Sequence, residues 1–174
     1  MNPETPSAET YVSSTEFVFM TAIIFFGEML IAPLLAMFLL AISPLKMTSV
    51  FEIFIAGVVV WTFAEYVFHR FVFHKLVARE HRLHHATPDD PVRKILWQIW
   101  VCFVLVYLIA GGVFLAGALV AYAWYLFVHH FAHHGPDNLP ASLLTHHQSH
   151  HRFASRNYGV STTLWDHIFR TMLR

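Results

Sequence analysis

At 174 residues the chain has the size of one ordinary domain, and 56 % hydrophobic against 13 % charged residues, with a mean hydropathy of +0.51, exclude an ordinary soluble protein. The 11 basic and 11 acidic residues cancel, which argues against nucleic acid or another polyanion as partner, and the lone Cys102 excludes an intrachain disulfide or a thiolate metal site. Histidine is the abnormal component: its 14 residues outnumber Lys plus Arg and are internal and dispersed, unlike an affinity tag.

Residues 1–16 are polar and acidic, with no basic residue and no apolar core, so no signal peptide is expected there. From 17 to 42 the chain is almost wholly apolar, about 39 Å as a helix and enough to span a hydrocarbon core of roughly 30 Å. Glu28 and Pro33 interrupt it, and a carboxyl at that depth should face other helices, protonated or hydrogen-bonded. After a turn at Ser43–Thr48, a second span over 50–68 runs directly into His69. Clustered histidines and the polar loop Thr87-Pro88-Asp89-Asp90-Pro91 follow, and apolar sequence then continues from Ile95 to Val128. One helix of that length would measure about 51 Å, too long for one crossing. Gly111-Gly112 near its middle weakens a helix by roughly 1 kcal/mol per glycine, which predicts a hairpin of two spans, 95–110 and 113–128.

An even number of spans puts the His69–His85 and His129–His151 regions on one face. That face carries Arg70, Lys75, Arg79, Arg82, Arg93, Lys94, Arg152, Arg156, Arg170 and Arg174 against Lys46 on the other, so the positive-inside rule makes it cytoplasmic, with the N-terminus on the same side. The expected fold is an all-α integral membrane protein: a polar tail over 1–16, then one domain over 17–174. Its four transmembrane helices carry a cytoplasmic-face, histidine-rich helical cap that holds a dinuclear metal site. No solenoid-type repeat is present, although the plan of two helices followed by a histidine block occurs twice.

His81, His84 and His85 have the spacing i, i+3, i+4, as do His147, His150 and His151, which on a helix gathers each trio into a narrow arc able to hold one ion. His129 and His133 share a face. His69 and His74 lie about 140° apart on an ideal α-helix, so they need a distorted helix end or must bind different ions. Neutral imidazole suits iron, zinc and copper and argues against calcium, magnesium and iron–sulfur chemistry. Ten or more candidates exceed one ion's coordination number, so two ions are expected. A loose metal-buffering tract is the duller reading, but these clusters are tied to helix ends and interleaved with Phe68, Phe71, Phe73, Leu83 and Phe131.

Four segments carry a family likeness: Glu65-Tyr66-Val67-Phe68-His69-Arg70-Phe71-Val72-Phe73-His74, His81-x-x-His84-His85-x-x-Pro88-x-Asp90, His129-x-x-x-His133-x-Gly135 and His147-x-x-His150-His151. With the tail Tyr158-Gly159-Val160-Ser161-Thr162-x-Leu164-Trp165-Asp166-x-x-Phe169-x-Thr171, they resemble the fatty acid hydroxylase/sterol desaturase superfamily, most of all its fatty acid 2-hydroxylase branch, over about residues 60–174. The resemblance implies metal ligands at His69, His74, His81, His84, His85, His129, His133, His147, His150 and His151. His130, His134 and His146 are then extras, although spacing alone leaves them open: His130-x-x-His133-His134 copies the trio pattern, and His129-x-x-x-x-His134 matches the related carotenoid hydroxylases. Glu65, four residues before His69, is a candidate to fix that histidine's tautomer, and Asp90 and Asp166 are candidates for the same job, with surface or capping roles equally open.

The implied activity is O2-dependent hydroxylation of an acyl chain on a bilayer lipid, most of all a ceramide-like one, with no catalytic residue beyond the metal centre. Two metal ions are implied, iron expected and zinc able to replace it on isolation. Residues 1–16 are too short for the cytochrome b5-like domain that many 2-hydroxylases carry at the N-terminus, so a separate cytochrome b5-like or ferredoxin-like electron donor is expected. The alternatives are a carotenoid or sterol hydroxylase or desaturase of the same superfamily, and a metal transporter or sensor. The last would need ligands spread through the spans, which carry only Glu28, Glu52 and Glu65.

Overall fold

The computed structural model describes residues 8–76, 78–88 and 96–173, with side chains from Ala22 onward apart from those at 80, 96 and 97. The described residues are mostly helical, without strands: α1 (Ala8–Ala41), α2 (Met47–Val67), a π-helical continuation of α2 (Phe68–Leu76), α3 (Ala78–Ala86), α4 (Leu96–His134), a 3-10 turn (Pro136–Asn138), α5 (Ala141–Arg152) and α6 (Leu164–Ile168). Helix α1 runs from Ala8 through the apolar stretch, since among residues 1–16 only Pro3 and Pro6, which precede it, would stop a helix.

Among the described residues three helices are long and apolar enough to cross a membrane: Ala22–Ala41, Met47–Leu76 and Gln98–His134. The third is not straight. Gly111 has φ 82° and ψ 174°, a conformation that costs a residue with a Cβ but not glycine. Phe103 and Tyr122 lie on opposite sides of this break, and a continuous helix would hold them about 28 Å apart. Their ring centroids are 5.3 Å apart, so the chain folds back into two packed arms, 96–110 and 112–134.

The second arm is the axis of the packing. Leu115, Ala116, Ala118, Leu119, Tyr122 and Leu126 on it are buried against Ala32, Ala36 and Leu39 of α1 and Phe103 of the first arm. Glu28 ties three of these elements together: one carboxylate oxygen accepts from the Trp100 indole at 2.9 Å and the other from the Tyr122 hydroxyl at 2.7 Å. The expectation that this carboxyl would turn inward and be hydrogen-bonded therefore holds. The outward surface is apolar, with Leu30 64 %, Phe51 67 % and Leu108 71 % exposed, as a bilayer-facing surface requires.

Helices α2 and α4 meet through glycine. A Cβ on Gly57 would sit 2.1 Å from the Phe114 carbonyl oxygen, and one on Gly117 would sit 2.0 Å from the Phe54 carbonyl oxygen. Each glycine admits the other helix's backbone, the arrangement by which small residues replace a hydrophobic driving force inside a membrane. Replacing Gly57 or Gly117 with Ala is expected to destabilise the detergent-purified protein by about 1–3 kcal/mol or more, seen as a lower thermal midpoint, since the obstacle is backbone. Gly27→Ala, with nothing within 4 Å of its added Cβ, should leave it unchanged or raise it, by up to about 1 kcal/mol, the helix preference of Ala over Gly.

Candidate metal centre

Both bundle helices that meet at the glycines end in histidines. In α2 the last stretch is π-helical, and i→i+5 hydrogen bonding stacks residues five apart on one face, so His69 and His74 point the same way, with ring centroids 5.2 Å apart. This is the distorted helix end that their spacing demanded. In α4 the α-helical spacing of His129 and His133 is enough, with centroids 5.1 Å apart, and Gly135-Pro136 then stops the helix.

The cap helices do not each hold one cluster. His81 and His85 of α3 join His69, His74 and His150, while His84 joins His129, His133, His147 and His151; within each group of five the donor nitrogens lie within 4.8 Å of one another. The trio on α3 is thus divided between the groups, and so is the trio on α5, which corrects the reading of one ion per trio. On a helix, positions i and i+4 lie close in angle while i+3 falls to the other side of them, so a helix lying between two sites serves both. The result is an exchange: each group takes a pair from a bundle helix, an i, i+4 pair from one cap helix and a single histidine from the other.

In the first group His81 Nε2 is 3.0 Å from each of the Nε2 atoms of His69, His74 and His85, and His74 Nε2 is 3.1 Å from that of His150. In the second, His129–His84 and His147–His133 meet Nε2 to Nε2 at 3.0 Å. One ring nitrogen with at most one proton cannot hydrogen-bond three others. Moreover, the Nδ1 atoms of His69 and His150 lie 2.5 and 2.7 Å from the carbonyl oxygens of Tyr158 and Arg156, which only accept, so both Nε2 atoms present lone pairs to the same point. Converging lone pairs are repulsive unless a cation sits between them. At a metal–nitrogen distance of about 2.0–2.1 Å, two nitrogens bound at right angles lie about 2.9 Å apart, so the donor set fits an ion. Burial, and after it the neighbouring imidazoles, push His81 and His151 down to about 2; burial likewise takes His150 to about 3. These rings are neutral at ordinary pH, as a ligand must be.

A layer of polar groups lies behind the first histidine group. Asp166, fully buried, accepts from Thr171 Oγ1 at 2.6 Å, Gly159 N at 2.7 Å, Tyr158 N at 2.9 Å and His146 Nε2 at 3.1 Å. Burial alone would raise this carboxyl, but the four donors outweigh it and hold it below its usual range. Glu65 does not take the expected place beside His69, whose two ring nitrogens face Tyr158 O and His81; it accepts instead from Val160 N at 2.7 Å, Ser161 N at 2.9 Å and the Ser161 hydroxyl. It acts on His69 only through the segment that carries Tyr158. Asp90 lies outside the described residues. His146 faces Asp166, and His130 lies on Phe25 and Phe26 with centroids 5.1 and 5.3 Å away and meets the tilted ring of the exposed His134, so these three stand outside both groups. The carbonyls of Tyr158 and Arg156 escaped sequence reasoning because a backbone oxygen carries no side-chain signature.

The fatty acid hydroxylase family model matches residues 54–171, and the chain belongs to that family. It is similar to mouse fatty acid 2-hydroxylase, 32 % identical over a 146-position alignment that covers 70 % of this chain and 39 % of the relative. It is also similar to a dihydroceramide fatty acyl 2-hydroxylase of Arabidopsis thaliana, at 29 % over 67 % of this chain and 58 % of the relative. A solved structure of full-length scs7p, with only the hydroxylase domain visible, superposes with a TM-score of 0.66 at 26 % identity, over 88 % of this chain and 66 % of that one. The chain thus spans about two fifths of the length of the mouse relative.

Glu65→Ala leaves three buried donors unmet and should destabilise the protein, by about 1–3 kcal/mol for each. Glu65→Gln keeps an acceptor for the two backbone N–H groups, and the Ser161 hydroxyl can turn to accept from its amide, so most of that loss should be recovered in thermal unfolding.

Proposed function

We propose that this chain is the membrane core of an O2-dependent lipid hydroxylase, with the ten grouped histidines as ligands of two metal ions. The observation that carries this reading is the pair of adjoining five-histidine groups at one end of the apolar helices. When bound, the ions, taken as iron, would supply the activation of O2 and the oxidation of an unactivated C–H bond, with electrons from a separate donor. The chain's part is to hold ten neutral imidazoles in position and, with the half-buried or buried rings of Tyr158, Phe73 and Tyr125 packed against them, to limit water.

The two arms of α4 are each read as a span, giving four crossings with both histidine groups on one side. Arg70, Lys75, Arg79, Arg82, Arg152, Arg156 and Arg170 lie on that side against Lys46 on the other, which supports a cytoplasmic histidine face. The substrate is an acyl chain reached from the bilayer, and the names of the relatives, fatty acid and dihydroceramide fatty acyl 2-hydroxylases, favour the chain of a fatty acid or ceramide-type lipid. A transport path is disfavoured because Glu28 is occupied by Trp100 and Tyr122 and both histidine groups lie at one end.

The purified protein should contain two metal ions per chain, and lipids of expressing cells should gain one oxygen atom on an acyl chain by mass spectrometry. His84→Ala should abolish the product, whereas His167→Ala, exposed and bonded locally to the Thr163 carbonyl at 3.0 Å, should not. Metal uptake with no change in any lipid, or loss of two hydrogens in place of the added oxygen, would overturn the hydroxylase assignment.

A further inference from the structure

The C-terminal segment packs against α2 near the histidine end. Trp165 donates its indole N–H to Thr62 Oγ1 at 3.1 Å and meets the Phe63 ring at 4.9 Å between centroids, while Phe169 stacks on Tyr66 at 5.3 Å. Thr62, Phe63 and Tyr66 precede His69 on an apolar helix able to cross a membrane, so α6 lies at the level of the last turns before the histidines. Its free side is apolar, with Leu164, Ile168 and Phe169 exposed, as an interfacial helix requires. Beyond α6 a cleft of about 690 Å³ opens between Arg156 and Arg170, walled by Met172 and Leu173 with Asp166 behind. Both arginines are exposed, and among the described residues neither guanidinium has a carboxylate within ion-pair distance. Asp166 does not neutralise them, because it is fully buried and its oxygens already meet four donors.

Arg170 stands where the backbone would sooner have glycine. It takes φ 55° just after α6 ends, the left-handed position that glycine fills without penalty and that a residue with a Cβ adopts at a cost. The turn does not need its side chain. Arg170 N–H donates to His167 O at 3.3 Å, the N–H groups of Thr171 and Met172 donate to Asp166 O at 2.8 and 3.2 Å, and the Arg170 carbonyl accepts from Arg156 Nη1 at 3.1 Å. That last bond draws the second cation onto the same cleft. We propose that the Arg156–Arg170 cleft binds the phosphate of a net-anionic lipid headgroup, whose acyl chains lie along Ile168 and Phe169. The guanidinium fork matches phosphate oxygens, and apolar side chains exposed beside the cleft suit a ligand with a hydrocarbon tail. An acidic soluble protein would match the two charges but not those side chains. Neither arginine belongs to the ten grouped histidines' donor set, so the inference does not need the two-ion reading; it needs only that the apolar helices cross a bilayer.

The test uses the full-length protein in detergent, with native mass spectrometry counting bound lipid as dioleoyl phosphatidylglycerol or dioleoyl phosphatidylcholine is added. Wild type should bind one phosphatidylglycerol per chain about thirtyfold more tightly than phosphatidylcholine, roughly fivefold for each arginine. Arg170→Gly should lose about fivefold of that preference while its thermal midpoint holds or rises, since glycine relieves the turn. Arg156→Gln should lose a similar factor, and the double variant nearly all of the preference. Arg79→Gln, which removes an exposed cation on α3, should leave it unchanged. Equal binding of the two lipids, an undiminished preference in Arg170→Gly, or an equal loss in Arg79→Gln would overturn the inference. Displacement of phosphatidylglycerol by an equimolar amount of inorganic phosphate would make this a free-phosphate site, and displacement by equimolar polyglutamate a docking face for an acidic protein; either result overturns the lipid assignment. Because Arg170→Gly does not weaken the turn, it decides the matter even if Arg156→Gln does not fold. No arm needs bound metal or an oxidised lipid, so failure here leaves the hydroxylase reading standing.

Discussion

The backbones of α2 and the second arm of α4 touch at Gly57 and Gly117, and the placement of the histidines depends on that contact. Twelve residues beyond Gly57 stands His69, and twelve beyond Gly117 stands His129. Two helices that leave one crossing point in the same direction and run the same distance, about 18 Å, must deliver those histidines to the same level. A side chain at either glycine would push the partner's carbonyl away and spread the helices where the imidazoles have to converge. The apolar bundle needs no such precision to be stable, since its core is a broad surface of Leu, Ala and aromatic contacts. The site does, because donor nitrogens must fall within a few tenths of an ångström of a common shell.

The cap then closes the centre by exchange. Helix α3 lends His84 across to the second group and α5 lends His150 to the first, so neither group can assemble without both cap helices. The helix bundle, the π-helical turn and the two short cap helices are therefore one cooperative unit rather than a membrane anchor with a separate metal domain. The acids are kept one layer back. Among the described residues the ten converging rings include no carboxyl group, and Glu65 and Asp166 instead hold the 158–161 segment, where each meets backbone and hydroxyl donors. Neutral ligands backed by two buried acids are a way to hold multiply charged ions without paying to bury acids directly beside them in the metal-free state.

Much of this was legible in the chain. The break at Gly111 could be read because glycine weakens a helix wherever it occurs and an uninterrupted apolar run of that length fits no single crossing. Inward burial of Glu28 followed from the cost of a carboxyl in hydrocarbon, and the gathering of distant histidines on one side followed from the parity of the helices. These are local or one-dimensional properties: length, hydropathy and the chemistry of a residue type survive without knowledge of neighbours. The helix that carries the first apolar span extends back to Ala8, because helix formation in a polar stretch needs only the absence of a breaker.

What the sequence determined by itself, then, is that the chain is helical and apolar, that its long third helix folds back, and which histidines are spaced to act together on their own helices. Which ring faces which partner was decided only by tertiary structure. The pairing of His69 with His74 required a change of helix type, and the division of each trio depended on where α3 and α5 lie between two centres. The redirection of Glu65 from His69 to Val160 and Ser161, and the removal of His146 to Asp166, came from a C-terminal segment about a hundred residues distant from α2. Spacing fixes angles about one helix axis, but it carries no information on the positions of two axes relative to each other, and the groups that orient the ligands are backbone carbonyls that look the same in every residue.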